Sequence, residues 1–110
     1  MGSGLLTGTW TPERVENLPP DDMRRRKPDF HGSRLARNIA LADLLREIGQ
    51  AHGRTAGETA IAWTLRHPAV TAAIVGGRRP AQIDEIIGAA DFRLNPEEIE
   101  QLEAFLSANP

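Results

Sequence analysis

The chain has 110 residues, enough for one domain and too few for two. Hydrophobic residues make up 40% and charged residues 25%, proportions that favour a soluble globular chain over a disordered one. Thirteen basic and fifteen acidic side chains give a net charge of −2, which argues against nucleic-acid and membrane partners. No apolar run reaches the roughly 20 residues of a membrane span, and no secretory signal is visible, so we expect a cytoplasmic location.

Missing residue types narrow the chemistry further. The chain has no cysteine, which excludes disulfides, thiol catalysis and thiolate zinc sites. It has no tyrosine, and Lys27 is its only lysine, so a Tyr/Lys proton-donor pair cannot be assembled from this chain alone. The histidines His31, His52 and His67 lack metal-ligand spacing, and we predict no metal site.

Residues 1–33 are predicted to be an irregular loop region, because glycine and proline recur too often for long helices. One helical turn after Pro12 is compatible with this pattern. The segment Arg24–Lys27 is the only charge run, and it allows two interpretations. It is either a solvated loop offset by neighbouring acids, or a contact with a phosphate or an acidic partner.

Residues 34–110 are predicted to be the helical part of a single domain. Ser33 is a candidate N-cap, and Thr55–Glu58 reads as a capping box. The third helix has a narrow apolar stripe that includes Ile83, Ile86 and Ile87. Four helices are expected, over about 34–52, 55–66, 80–89 and 96–107.

Val70–Val75 is a short apolar run that predicts one buried strand at about 72–75. One strand cannot form a sheet, so it pairs with another copy or a missing piece, or else the domain is an all-α bundle. The fold class is therefore mostly α with one or few short strands, and the element order resembles a slice of an alternating β/α architecture.

The junction at 72–88 is the best candidate for chemistry. Gly76 and Gly77 would let the backbone approach a ligand closely, and Arg78 and Arg79 carry guanidinium groups that match phosphate oxygens. The junction lacks the Walker and G-x-G-x-x-G patterns. Two interpretations stay open, a phosphate site for a nucleotide cofactor and a plain turn between strand and helix.

Three segments occur in an order that resembles the C-terminal part of the aldo/keto reductases: GSGLLTG at 2–8, IAWTLRHP at 61–68 and AAIVGGRRPAQIDE at 72–85. The resemblance implies the last third of a (β/α)8 barrel, beginning just after the seventh strand, with about four helices and the short eighth strand. Members of this family reduce aldehydes and ketones with NADPH, through an Asp, Tyr, Lys and His tetrad. None of the four has a matching position here, so no catalytic residue is assigned.

The resemblance also implies residues for NADP(H). The loop at residues 2–5 would hold the pyrophosphate, Arg78 the 2′-phosphate, and Gln82 and Glu85 would face the adenosine. The expected cofactor-binding residues are Gly2, Ser3, Gly4, Leu5, Gly76, Gly77, Arg78, Arg79, Gln82 and Glu85. The sequence departs from the family at four positions: Thr9 stands where lysine is frequent, Arg79 replaces Ser or Thr, Ala81 replaces an acid, and Ile86 replaces an adenine-contacting Asn.

Two functions remain. The chain is the C-terminal NADP(H)-binding portion of an aldo/keto reductase-like oxidoreductase, inactive alone because it lacks the tetrad. Alternatively, it is a helical interaction module derived from that barrel segment, which forms a homo-oligomer through exposed apolar faces. We expect no nucleic-acid or membrane partner in either case.

Overall fold

Helices account for all the regular secondary structure in the computed structural model, which describes all 110 residues. The α-helices are α1 (Pro12–Glu16), α2 (Gly32–Gln50), α3 (Ala56–Thr64), α4 (Pro80–Asp84) and α5 (Pro96–Ala108). Four 3₁₀-helices span Gly2–Thr7, Met23–Arg26, Pro28–Phe30 and Ile87–Asp91. The mostly helical fold is confirmed. Residues 1–33 contain α1 and three of the 3₁₀-helices, so this region has more helical structure than the predicted irregular loop.

The strand predicted at about 72–75 is not present, and this detail of the prediction is wrong. From Thr71 to Gly77, no backbone N–H or carbonyl forms a backbone hydrogen bond. The physical reason is that a strand is defined by pairing, and the chain offers no second strand.

The long helix α2 begins at Gly32, before the candidate cap Ser33, which lies inside the first turn. Its start is fixed by the His31 carbonyl, which accepts the Leu35 N–H at 3.1 Å. After the helix, Gly53 has a φ of +66°, the left-handed conformation expected beyond a helix end. The predicted helix at about 34–52 is thus displaced by two residues at each end.

Capping boxes begin α3 and α5. Thr55 Oγ1 accepts the Glu58 N–H at 3.0 Å, and Glu58 Oε1 accepts the Thr55 N–H at 3.2 Å. Asn95 and Glu98 form the same reciprocal pair, with both distances 2.9 Å. The capping box predicted for Thr55–Glu58 is confirmed, because a capping box depends only on residues three positions apart.

The helix predicted at about 80–89 is shorter than expected. α4 ends at Asp84, and Ile86, at φ −129°, separates it from the next 3₁₀-helix. Ile83 and Ile87 are exposed, so the predicted inner face is wrong for these two residues. Periodicity identifies an apolar stripe, but no other part of this chain covers it.

The two ends of α2 connect two hydrophobic cores. One core joins its first turns to the N-terminal region and consists of Leu5, Trp10, Val15, Leu18, Phe30 and Leu35. The other joins its last turns to α3 and α5 and consists of Leu41, Leu45, Ile48, Ala56, Ala60 and Leu102. None of the helices combines the length and apolar character that crossing a membrane requires.

Candidate functional site

A cavity of about 480 Å³ lies between the N-terminal loop and residues 79–86. It is lined by Gly4, Thr7, Thr9, Trp10, Arg14, Arg24, Thr55, Gly57, Arg79, Gln82, Glu85 and Ile86. Three of these carry a guanidinium group and one, Glu85, a carboxylate. The cavity therefore has an excess of positive charge, although the chain as a whole is negative.

The N-terminal wall begins at a kink in the 3₁₀-helix Gly2–Thr7, where the backbone is in the left-handed conformation. Gly2, Ser3 and Gly4 have φ values of +60°, +57° and +92°. Gly4 also lies against the indole, because a Cβ on it would be 3.5 Å from Trp10 Nε1. A side chain at position 4 would be strained, so glycine is required there. Ser3 Oγ accepts a hydrogen bond from Lys27 Nζ at 2.5 Å, which ties the loop to the charge run.

A short chain of hydrogen bonds extends this wall. Thr7 Oγ1 donates to the Gly4 carbonyl at 2.8 Å and lies 3.1 Å from the hydroxyl of Thr9. Arg14 Nη1 in turn donates to the Thr9 carbonyl at 2.9 Å and to Thr9 Oγ1 at 2.7 Å. Thr9 thereby orients a guanidinium group that has no carboxylate partner.

Trp10 is the centre of the N-terminal half of the site. Its ring is buried and makes a T-shaped contact with the Phe30 ring at a centroid distance of 5.1 Å. The guanidinium carbons of Arg14 and Arg24 lie 4.2 and 4.8 Å from the ring centroid. Both arginines are thus held by cation–π contacts as well as hydrogen bonds.

The guanidinium of Arg24 is held by the carboxylate of Asp22. Arg24 Nη2 donates to Asp22 Oδ2 at 2.5 Å, and Arg24 Nε donates to Asp22 Oδ1 at 2.9 Å. Hydrogen bonds from the Arg24 side chain and backbone lower the pKa of Asp22 to about 2, and the charge of Arg78 contributes. The side-chain hydrogen bond to Asp22 raises the pKa of Arg24. The pair is therefore ionised across the whole neutral range.

The opposite wall begins at α4. Gln82 Oε1 accepts the N–H of Arg78 at 2.6 Å and the N–H of Arg79 at 3.2 Å. These two amides are consequently satisfied within the chain. The guanidinium of Arg79 makes no hydrogen bond or ion pair, and it lines the cavity. Thr55 Oγ1 donates to the Glu85 carbonyl at 3.0 Å, which fixes this wall to the start of α3.

The structure brings together four of the ten residues singled out from the sequence, Gly4, Arg79, Gln82 and Glu85. Ser3 is not part of the lining and accepts a hydrogen bond from Lys27, whereas Leu5 is buried in the N-terminal core. The others lie outside the lining: Gly2 on a separate apolar groove, and Gly76, Gly77 and Arg78 on the exposed segment before α4.

Sequence reasoning did not assign Thr7, Trp10, Arg14, Arg24 and Thr55 to the site. For Arg24 the sequence did give a signal, because a phosphate contact was one of the two interpretations of the charge run Arg24–Lys27. Trp10 and Arg14 gave none, since their approach to residues 79–86 depends on the tertiary fold. No group of histidine and acidic side chains converges in a way that could hold a metal ion.

Known proteins resemble this chain along nearly all of its length. Residues 1–107 match the aldo/keto reductase family. An aldo-keto reductase of Strobilurus tenacellus, str7, is 30% identical over 99 residues, which are 90% of this chain and 29% of that protein. The aldo-keto reductase YhdN of Bacillus subtilis is 27% identical over 104 residues, 94% of this chain and 31% of that protein.

A solved structure shows the same arrangement. The chain superposes on the glycerol dehydrogenase AKR11B4 from Gluconobacter oxydans with a TM-score of 0.82 and 26% identity. The superposition covers 97% of this chain and 32% of that enzyme. The chain thus spans about a third of the length of the relatives that it matches, and its helices correspond to a part of their barrel.

Proposed function

Because the chain belongs to the aldo/keto reductase family, we propose that its cationic cavity binds the phosphate groups of NADP(H) as part of an oxidoreductase. The observation that carries this proposal is the Arg79 guanidinium. It faces the cavity without an internal partner, so it is free to bind an anion. Arg14 supports the proposal, because it faces the same cavity and also lacks a carboxylate partner.

The donor set fits a dinucleotide phosphate. A guanidinium presents parallel N–H groups that match two phosphate oxygens, and the two arginines of the lining without a carboxylate partner are Arg14 and Arg79. A hydrogen bond to a charged group contributes about 1.5–3 kcal/mol. If one arginine contacts the 2′-phosphate, the expected preference for NADP(H) over NAD(H) is about tenfold to a hundredfold.

The remaining lining residues suit the uncharged parts of the nucleotide. The Glu85 carboxylate can accept an N–H of a base, and Ile86 offers an apolar surface instead of an amide. Trp10 would shield the phosphates from water on the N-terminal side. Bound NADPH would supply a hydride to a carbonyl carbon. This chain's own residues would bind and orient the nucleotide.

We further propose that the 110 residues do not reduce carbonyls alone. No Asp, Tyr, Lys and His tetrad can be assigned in the chain, and tyrosine is missing outright. A proton donor for the carbonyl oxygen must then come from another part of a complete enzyme. A cytoplasmic location stays a prediction from the sequence.

The test is an amide correlation NMR spectrum of the labelled chain with millimolar NADP⁺ and, separately, NAD⁺. We expect dispersed peaks and shifts clustered at Gly4, Trp10 and residues 78–86, larger for NADP⁺. Dispersed peaks whose chemical shifts change with neither nucleotide would refute the cavity as a nucleotide site. Equal shifts with both nucleotides would refute the contact with the 2′-phosphate.

A further inference from the structure

The guanidinium of Arg14 is held in place but keeps donors for a ligand. Its Nη1 donates to the carbonyl and the hydroxyl of Thr9, and its central carbon lies 4.2 Å from the centroid of the Trp10 ring. The N–H groups on Nε and Nη2 make no hydrogen bond within the chain. Arg14 therefore presents an oriented edge of free donors to the cavity that it lines.

The charge of Arg14 is not compensated, unlike that of its neighbour. Arg24 lies beside the same ring, 4.8 Å from its centroid, and forms an ion pair with Asp22. Arg14 forms no ion pair. Because the two guanidinium groups share one ring and repel each other, an anion bound at Arg14 would relieve the repulsion.

The backbone of residues 2–5, which the family resemblance assigns to the pyrophosphate, offers the cavity no free amide. Gly4 is the one residue of this segment in the lining, and its N–H already donates to the Met1 carbonyl at 3.2 Å. A diphosphate on this wall therefore depends on a side chain. Arg14 is the cation of the wall that has no counter-ion.

We propose that Arg14 binds the diphosphate bridge that NADP(H) and NAD(H) share, whereas Arg79 binds the 2′-phosphate. This assignment rests on the proposed function. The 2′-phosphate belongs to the ribose that carries the base, so it lies on the wall that suits the base, where Glu85 and Ile86 accompany Arg79. The diphosphate then reaches the opposite wall. Arg14 sets the affinity for both nucleotides, and Arg79 sets the selectivity between them.

Dissociation constants for NADP⁺ and NAD⁺, measured by NMR titration, test the assignment. Arg14→Gln should weaken the binding of both nucleotides by the same factor, at least about tenfold. Arg14→Lys keeps the charge without the planar fork, and it should bind both nucleotides more tightly than Arg14→Gln does.

Arg66→Gln is the matched control. The Arg66 guanidinium also lies over a tryptophan ring, 3.5 Å from the Trp63 centroid, and donates to the Trp63 carbonyl at 3.0 Å, but it does not line the cavity. Arg66→Gln should bind both nucleotides as the parent chain does. A loss confined to NADP⁺ in Arg14→Gln would overturn the assignment, and so would equal losses in the two glutamine variants.

Inorganic pyrophosphate tests the same contact without a nucleoside. In a Trp63→Phe chain Trp10 is the only tryptophan, so the fluorescence reports on the ring beside Arg14. We expect a saturable change with pyrophosphate, beyond that of sodium chloride at equal ionic strength, and its loss when Arg14→Gln is added. No change, or the same change in both chains, would overturn the proposal. A parent chain that responds to pyrophosphate but binds neither nucleotide would refute the proposed function and leave Arg14 as a diphosphate ligand.

Discussion

Asp22 holds the guanidinium of Arg24 in a two-point contact, with N–O distances of 2.5 and 2.9 Å, while that guanidinium lies 4.8 Å from the centre of the Trp10 ring. Two residues from the same short turn thus fix a cation at the wall of the cavity. Because folding already orders the long Arg24 side chain, an anion that binds there causes a smaller loss of side-chain conformational entropy.

The Asp22–Arg24 pair predicts a defined acid sensitivity. The folded-state pKa of Asp22 is about 2, below the value of about 3.9 for an unfolded aspartate. The contribution of the pair to stability is therefore complete above about pH 4 and is lost as the pH falls towards 2. A carboxyl-carbon NMR titration should place the Asp22 midpoint near 2. In Arg24→Gln the midpoint should rise towards 3.9, whereas Arg26→Gln should leave it unchanged. A midpoint near 4 in the parent chain would contradict the ion pair.

Arg79 should be the side chain whose loss most weakens NADP⁺ binding. Arg79→Gln removes one unpaired guanidinium from the cavity, and we expect at least about a tenfold weaker Kd for NADP⁺, with little change for NAD⁺. Arg34→Gln is the matched control, because Arg34 is exposed outside the cavity and makes only a long contact with Asp29. Titration calorimetry or NMR measures both. An equal loss in the two variants would indicate a general effect of net charge instead of a site.

Local signals in the sequence predicted the starts of α3 and α5, although the candidate cap Ser33 lies inside the first turn of α2. The capping box of Thr55 with Glu58 forms as expected, because its energetics involve one turn of chain. The buried strand and the inner face of the third helix depend on distant partners, and both predictions failed. Ile83 has the spacing of a core residue but is exposed, since nothing in the chain packs on it.

The residues of the candidate site also fall into two groups, those that the sequence identified and those that it did not. Gly4, Arg79, Gln82 and Glu85 could be selected from the sequence and do share one cavity. The contribution of Arg14 depends on Thr9 and on a tryptophan ring, and no spacing rule links them to residues 79–86. Tertiary packing positions such residues, so sequence alone did not predict them.

Thr55 should link helix stability to nucleotide binding. Thr55→Val removes the cap of α3 and the hydrogen bond to the Glu85 carbonyl, and we expect a loss of about 0.5–2 kcal/mol in the free energy of unfolding. The NADP⁺ affinity should also fall, because Glu85 lies on the cavity wall. Thr55→Ser keeps the hydroxyl and should preserve both properties. Asn95→Ala removes a cap that does not line the cavity, so it should lower stability in urea unfolding with no change in affinity.

Gly88 should tolerate no side chain, because α3 approaches it closely. A Cβ at this position would overlap Glu58 Oε2 and Arg54 Nη1. Glu58 is buried, and its other oxygen accepts the Thr55 N–H, so its carboxylate cannot turn away without opening the capping box. We expect Gly88→Ala to lower the free energy of unfolding by about 1–3 kcal/mol.

Gly76→Ala is the matched control for this substitution. A Cβ on Gly76 would meet no atom within 4 Å, so its effect should stay within about 0.5 kcal/mol. Urea unfolding of the two variants measures the difference. If the two variants were equally stable, the Arg54–Glu58 pair would be able to move away from Gly88. The Glu58 carboxylate would then not hold the start of α3 rigidly against the 3₁₀-helix Ile87–Asp91.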